Sequence, residues 1–480
     1  MHAATLSVRD AFRIGREDAH GQADLLRSGE VTVPELIEAA ITRIERLDPQ
    51  LNAITHRGFE QARRRAGATD HDGSEGGRHL SGVPYLLKDS LEYPGMPAFA
   101  GSRSRDATPS THAYAYIERF DDQGLIPLGM TSMPEFGLMP STEPLRHGPT
   151  HNPWRSNVSA GGSSGGAAAA VASGMVPLAQ ASDAGGSIRI PAACCGLVGL
   201  KVSRGGNIRA RAQNLIDDLL CSDILLARSV RDAAWAYNIA RPDTMPMVPG
   251  QPGERRLRIA VDLARLDGIA PAAEVAEAIE KTATLCGRLG HRVERMRMPV
   301  DGPAVMDGFQ VLWSYLGVEI VEQFQHLHPT RNPAEYLEPW TLGLAHWGRQ
   351  FGGPELERAF QSMMRASHSL EALFRDYDVV LSPVVSEPPP PLGQLAPTRP
   401  FPELLPTTLQ YMGYTQLQNM AGTPALSLPL FTTADGLPLG SMFAAGRGQD
   451  ATLLSLAFEL EQAQPWGHRW PGCFMEMAEA

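Results

Sequence analysis

The stretch Gly161–Gly196, GGSSGGAAAAVASGMVPLAQASDAGGSIRIPAACCG, constrains the fold of this chain more than any other. It opens on GGSSGG, closes on DAGGSIR and holds very little charge between. Gly165–Ser173 is a small-residue, helix-compatible run, and Gly174 stands where a helix-ending glycine belongs. Val176–Ala181 reads as a short buried strand that runs into the glycine turn Asp183-Ala184-Gly185-Gly186-Ser187. Consecutive glycines allow positive φ and turn several N–H groups toward one point, an anion-binding nest. A serine closing such a nest is well placed for acyl transfer, with its hydroxyl attacking and the N–H groups receiving the oxyanion.

Other readings fit the same residues. A Gly/Ser-rich segment can be a flexible loop or a phosphate cradle, but no GxxxxGK[ST] is present and no GxGxxG opens a βαβ unit. Gly161-Gly162-Ser163-Ser164-Gly165 also matches G-x-S-x-G, the nucleophile elbow of α/β-hydrolase esterases. That reading needs a downstream acid and histidine and an HGGG-type oxyanion loop. The HGGG loop is absent.

Composition narrows the class. A chain of 480 residues ordinarily holds two to four domains or one large α/β unit, and 43% apolar residues can build a substantial core. A net charge of −11 argues against a nucleic-acid or anionic-membrane partner. The five cysteines form no CxxC, which suits reduced thiols in a cytoplasm. No HExxH occurs, and the first residues lack the apolar core of a signal peptide. Gly165–Ala181 is too broken by Ser, Pro and Gln for a membrane span.

Elements alternate along the chain. Residues 17–48 predict two helices, the second opened by the capping box Thr32-Val33-Pro34-Glu35 and striped by Leu36, Ile37, Ala40, Ile41, Ile44 and Leu47. A polar loop over Gly67–Arg78 precedes Leu80–Asp89, an apolar strand-like run ending on Lys88, where burial would lower the amine's pKa. Residues 113–128 read as a helix leading into a strand, Leu125–Gly129, and Ser222–Ile239 as strand, turn and helix. Leu257–Val261 is a strand and Pro271–Leu289 an amphipathic helix; 300–375 is helical and aromatic-rich. Asp378–Ser382, Pro424–Pro429 and Leu439–Ala445 are strands, and Asp450 is expected to cap the last helix. Strands alternating with helices throughout indicate α/β.

Lys88, GGSSGG and DAGGS together resemble the amidase signature family of serine hydrolases, and the resemblance covers nearly the whole chain. It rests on GVPYLLKD at 82–89, TSMPEFG at 131–137, NPW at 152–154, GGSSGG at 161–166, DAGGSIRIPAACCGLVGLK at 183–201, AGTPALSLP at 421–429 and DGLPLG at 435–440. STEP at 141–144 and EQAQPW at 461–466 make it most similar to the 6-aminohexanoate cyclic-dimer hydrolase branch. Met130, Ser132 and KVSRG at 201–205 depart from the usual pattern.

The resemblance implies an α/β/α sandwich around a large mixed sheet, one domain over 1–480 with a helical, aromatic-rich substrate side at about 300–420. It implies a Ser–cis-Ser–Lys triad: Ser187 as the acylated nucleophile, Ser163 after a cis peptide as proton relay, and Lys88 as general base. The N–H groups of Ala184, Gly185, Gly186 and Ser187 would form the oxyanion hole, with Ser164 and Asp183 as supporting hydrogen-bonders. Gly137 would line the acyl side, and Leu138, Met139, Ile216, Trp313, Tyr411, Gln416 and Asn419, with Tyr93 and Phe99, are candidate substrate contacts. Their apolar bias points to a neutral or aromatic carboxamide, with anilides, carbamates and esters as further substrates. Neither metal nor organic cofactor is implied, and a homodimer is compatible although no stretch marks an interface. A second reading keeps the fold and makes the chain the glutaminase-like subunit of a tRNA-dependent amidotransferase.

A lysine of ordinary pKa ~10.4 is neutral about once in a few thousand at pH 7. Serving as an efficient base requires roughly 3–5 kcal/mol of bias toward the neutral form. A charge-poor layer of Gly, Ala and Ser can supply it.

Overall fold

Among the described residues, apolar runs bounded by glycine, proline and polar turns build two large sheets and a two-stranded one, His151–Asn152 with Arg155–Ser159. The computed structural model describes residues 6–69, 78–208, 210, 214–248 and 250–479. In the first sheet the strands lie in the order Ile54–Arg57, Ile126–Thr131, Pro84–Lys88, Leu178–Asp183 and Ser222–Ala227. The three central strands are parallel, and each edge strand runs antiparallel to its neighbour. In the second the order is Arg292–Arg295, Arg258–Val261, Val379–Pro383, Pro438–Ala445, Ala425–Thr432 and Gly199–Lys201. Its first three strands are parallel and the rest antiparallel. A bridge between Val198 and Ala227 joins the two, and Ser222 Oγ accepts the Val202 N–H at 3.1 Å. The expected large mixed sheet is therefore two mixed sheets stitched at their edges.

The site lies on the central strands. Pro84–Lys88 and Leu178–Asp183 are buried along their whole length, as parallel strands covered on both faces must be. Over them packs the helix Gly165–Ala172, also wholly buried. Its small side chains let it approach the sheet closely. Gly174, at φ +73°, ends it, and the following strand starts at Leu178, two residues later than its apolar run suggests. The strand expected from Leu125 likewise begins at Ile126 and continues to Thr131.

The capping box of Thr32 and Glu35 forms, and the predicted stripe of Val33–Leu51 is buried. Arg43, which that stripe leaves out, is buried with it. Its guanidinium donates to the carbonyls of Gly174 at 2.7 Å and Ala11 at 2.6 Å, capping the end of the small-residue helix. The start of the predicted 67–78 loop belongs to the helix Phe59–Ala68, and 70–77 lie outside the described residues.

Helices Gly302–Leu327, Pro339–Gly348, Gly353–Asp376 and Phe401–Tyr411 form the aromatic-rich side. Their rings meet at a tilt in series, Phe309 against Trp313 at 5.7 Å between centroids and Trp313 against Trp340 at 5.4 Å. Asp450 does not cap its helix. The helix Asp450–Ala463 has no side-chain cap, and the Asp450 carboxylate accepts the Ser203 N–H at 2.8 Å and its hydroxyl at 2.5 Å. A further helix, Gly472–Glu479, follows. Among the described residues no helix is long and apolar enough to cross a membrane.

Gly166 tests how closely the small-residue helix sits. A Cβ there would lie 2.6 Å from the Ser132 carbonyl oxygen and 2.7 Å from that of Ala53, both backbone atoms. Alanine favours a helix by about 1 kcal/mol over glycine, but overpacking costs about 1–3 kcal/mol. Gly166→Ala is therefore expected to lower the urea midpoint, where helix propensity alone would raise it.

Candidate active site

Lys88 ends its strand with the side chain pointing under the small-residue helix, where it is 1% exposed. Its Nζ lies 2.8 Å from Ser163 Oγ, 2.9 Å from Ser164 Oγ and 2.9 Å from Ser182 Oγ. Ser163 and Ser164 lead into the helix at Gly165, and Ser182 sits on the neighbouring strand, so three hydroxyls from two elements surround one amine. The Gly162–Ser163 peptide is cis. Gly137, at φ +75°, faces this cluster, and a Cβ there would stand 3.2 Å from Ser163 Oγ.

The DAGGS turn follows the Ser182 strand and is held from below by Asp183. Its carboxylate accepts the N–H groups of Gly186 at 2.7 Å and Ile188 at 3.2 Å, and pairs with Arg189 at 2.9 Å. Both side chains are fully buried. Burial alone pushes the Asp183 carboxyl up, but the Arg189 guanidinium and the Asn419 amide more than reverse this and hold it well below the usual range. Asn419 donates to the Asp183 carboxylate at 2.9 Å and accepts from Arg189 at 2.6 Å. Thr415 Oγ donates to the Gly185 carbonyl at 2.5 Å. Gly186 has φ +135° with Thr415 packed against it, a conformation and a space that suit only glycine.

Ser187 is half-buried and shares the wall of a chamber of about 60 Å³ with Lys88, Ser163, Ala184 and Gly185. Beyond these, Met133, Phe136, Leu138, Met139, Phe309, Trp313 and Met412 make the lining chiefly apolar. Trp340 donates its indole N–H to the Leu138 carbonyl at 2.8 Å, tying the aromatic side to this wall. Buried Glu135 does the same from the TSMPEFG segment, accepting from Ser102 at 2.7 Å, the Glu338 N–H at 2.7 Å and Thr341 at 2.6 Å.

Comparison with known proteins gives the family. The amidase family profile matches residues 35–454. The chain belongs to the amidase signature family. It is 39% identical over 464 residues to a protein named AmiC from Mycobacterium leprae, covering 94% of this chain and 96% of that one. It is 32% identical over 495 residues to the 6-aminohexanoate-cyclic-dimer hydrolase of Pseudomonas sp. (strain NK87), covering 95% and 96%. A solved structure of 6-aminohexanoate cyclic dimer hydrolase with substrate superposes with a TM-score of 0.87 at 29% identity, covering 96% of this chain and 99% of the other. The chain is thus an amidohydrolase acting on non-peptide carbon–nitrogen bonds, with the mixed α/β fold of its family. Family membership, not the α/β-hydrolase elbow, accounts for its G-x-S-x-G.

Within the amidase, the candidate residues separate. Lys88, Ser163, Ser187, Ala184, Gly185, Gly137, Leu138, Met139 and Trp313 meet at the chamber. Ile216 does not; Asp217 and Leu220 of the same short helix, Leu215–Leu220, face it instead. Tyr411 lies in the core with its hydroxyl 3.2 Å from Cys194 Sγ, and its neighbour Met412 reaches the chamber. Gln416 and Asn419 are buried in the helix Gln416–Ala421, away from the chamber, and Asn419 buttresses the nest. Tyr93 donates to Asp121 at 2.8 Å, and Phe99 stacks under the Arg146 guanidinium, 3.9 Å from its ring. Both therefore belong to the packing. Ser182, Arg189 and Thr415 are site residues that sequence reasoning missed. Only Arg189 left a signal, as the base closing DAGGSIR on the acid that opens it.

The Asp183–Arg189 pair has a pH signature. Because its folded pKa is depressed, Asp183 adds stability above the unfolded carboxylate range and loses it as pH falls toward the folded value. Asp183→Asn should cost about 3 kcal/mol at pH 7. In urea titrations the gap between wild type and variant should narrow below about pH 4.

Proposed function

We propose that this amidase hydrolyses a neutral or aromatic carboxamide through an acyl-enzyme on Ser187, with Ser163 and Lys88 as its proton relay. The observation that carries the reading is Lys88 Nζ at 2.8 Å from Ser163 Oγ, beneath a chamber whose wall also presents Ser187. Ser187 Oγ bonds to the carbonyl carbon while its proton passes to Ser163 and that of Ser163 to Lys88. The carbonyl oxygen takes the charge against the N–H groups of Ala184, Gly185 and Ser187, since the Gly186 N–H is already given to Asp183. Collapse breaks the carbon–nitrogen bond, and the proton returns through Ser163 to the leaving nitrogen. Water then enters by the same relay and releases the acid.

The apolar lining supports an uncharged acyl group, and the relative named for a cyclic dimer brings cyclic amides within range. Anilides, carbamates and esters share the same tetrahedral chemistry. One hydrophobic core runs from Ala11 to Phe474, which supports reading the chain as a single domain.

A panel of a linear aliphatic amide, a cyclic amide dimer, an aryl anilide, an aryl carbamate and an aryl ester tests this. Wild type should turn over at least one member, and Ser187→Ala and Lys88→Ala should each lose about 10³-fold or more in kcat. Turnover persisting in Ser187→Ala would contradict the proposal.

A further inference from the structure

The peptide joining Gly185 to Gly186 is the least constrained unit of the nest, because neither flanking residue has a Cβ to limit its rotation. Both of its ends are nevertheless held. The Gly186 N–H donates to the Asp183 carboxylate at 2.7 Å, and the Gly185 carbonyl accepts from Thr415 Oγ at 2.5 Å. The two holders are themselves joined. Arg189 pairs with Asp183 at 2.9 Å and donates from Nη2 to the Thr415 carbonyl at 2.9 Å. Asp183, Gly186, Gly185, Thr415 and Arg189 therefore close a ring of hydrogen bonds around this one peptide. Asp183, Arg189 and Thr415 are all fully buried, so bulk water does not compete for these bonds.

Thr415 also ties the ring to the apolar wall of the chamber. It lies three residues after Met412, whose side chain lines that wall, and its N–H donates to the Met412 carbonyl at 3.4 Å. Phe309, from the same wall, stands against Gly185, where a Cβ would come within 2.6 Å of its ring. The nest is thus held in register with the wall. A shift of the diglycine peptide would move the amides on either side of it, those of Gly185 and Ser187. Their aim counts most when charge develops on the carbonyl oxygen.

We propose that Thr415 is a positioning residue for the hydrolysis: its hydroxyl fixes the diglycine peptide so that the Gly185 and Ser187 amides meet the oxyanion of the transition state. Thr415 stands behind the nest, outside the chamber lining, and acts through the Gly185 carbonyl. The role rests on the acyl-enzyme reading for its oxyanion. Because the oxyanion is absent from the bound substrate, the hydroxyl serves kcat more than KM.

Steady-state kinetics of Thr415→Val and Thr415→Ser on the best substrate of the amide and ester panel test this, with active sites counted by fluorophosphonate titration. Valine keeps the shape and removes the donor, leaving the buried Gly185 carbonyl unmatched. In Thr415→Val kcat per titrated site should fall about 10- to 100-fold, with KM within about threefold of wild type. Thr415→Ser keeps the hydroxyl and should recover kcat to within about threefold. The same gap should separate Thr415→Ala from Thr415→Ser, a pair that tests the hydroxyl even if valine does not fit. Inhibition by phenylboronic acid, whose tetrahedral adduct places an oxygen in the nest, should weaken in Thr415→Val by about the same factor as kcat. A merely structural threonine would lower the urea midpoint and the number of titrated sites, but not kcat per site. Unchanged kcat in Thr415→Val, a loss carried wholly by KM, or no recovery in Thr415→Ser would overturn the proposal. Turnover retained in Ser187→Ala would instead overturn the acyl-enzyme reading, whatever Thr415 does.

Discussion

Removing an amine from water disfavours its charged form, and much of this molecule follows from how it encloses Lys88. The amine ends a strand buried on both faces, beneath a helix made almost wholly of Gly and Ala. Larger residues would hold that helix away from the sheet and admit water. Three serine hydroxyls surround the Nζ and give it hydrogen bonds to uncharged groups.

A second buried charge does the opposite work. Asp183 and Arg189 are fully buried together, and each is also bonded to Asn419. A buried pair of this kind adds little net stability, but losing one partner is expensive. Its consequence is geometric: Asp183 fixes the Gly186 and Ile188 amides, and Thr415 fixes the Gly185 carbonyl, so the turn that presents Ser187 is clamped at several atoms. Lys88 and Asp183 end neighbouring strands of one sheet.

What was legible in the sequence was what short-range physics encodes. The capping box at Thr32, the glycine after the small-residue helix and the lysine closing an apolar run all depend on neighbours a few residues away. The substrate side was less legible, because Met133, Phe309 and Met412 come from distant segments and meet only in the folded chain. Tyr411 and Asn419 leave the substrate side for a common reason: each polar side chain finds a buried partner, Cys194 Sγ for one and the Asp183–Arg189 pair for the other. Asp450 carried a cap signal, but Ser203, almost 250 positions earlier, took its carboxylate into the core.

The account turns on which serine becomes acylated. Reaction of the wild-type protein with a fluorophosphonate, followed by peptide mapping of the adduct, decides it directly. The account predicts a single modified site at Ser187, with labelling strongly slowed in Lys88→Met. An adduct on Ser163, or labelling of Ser187 at an undiminished rate without the lysine, would contradict it.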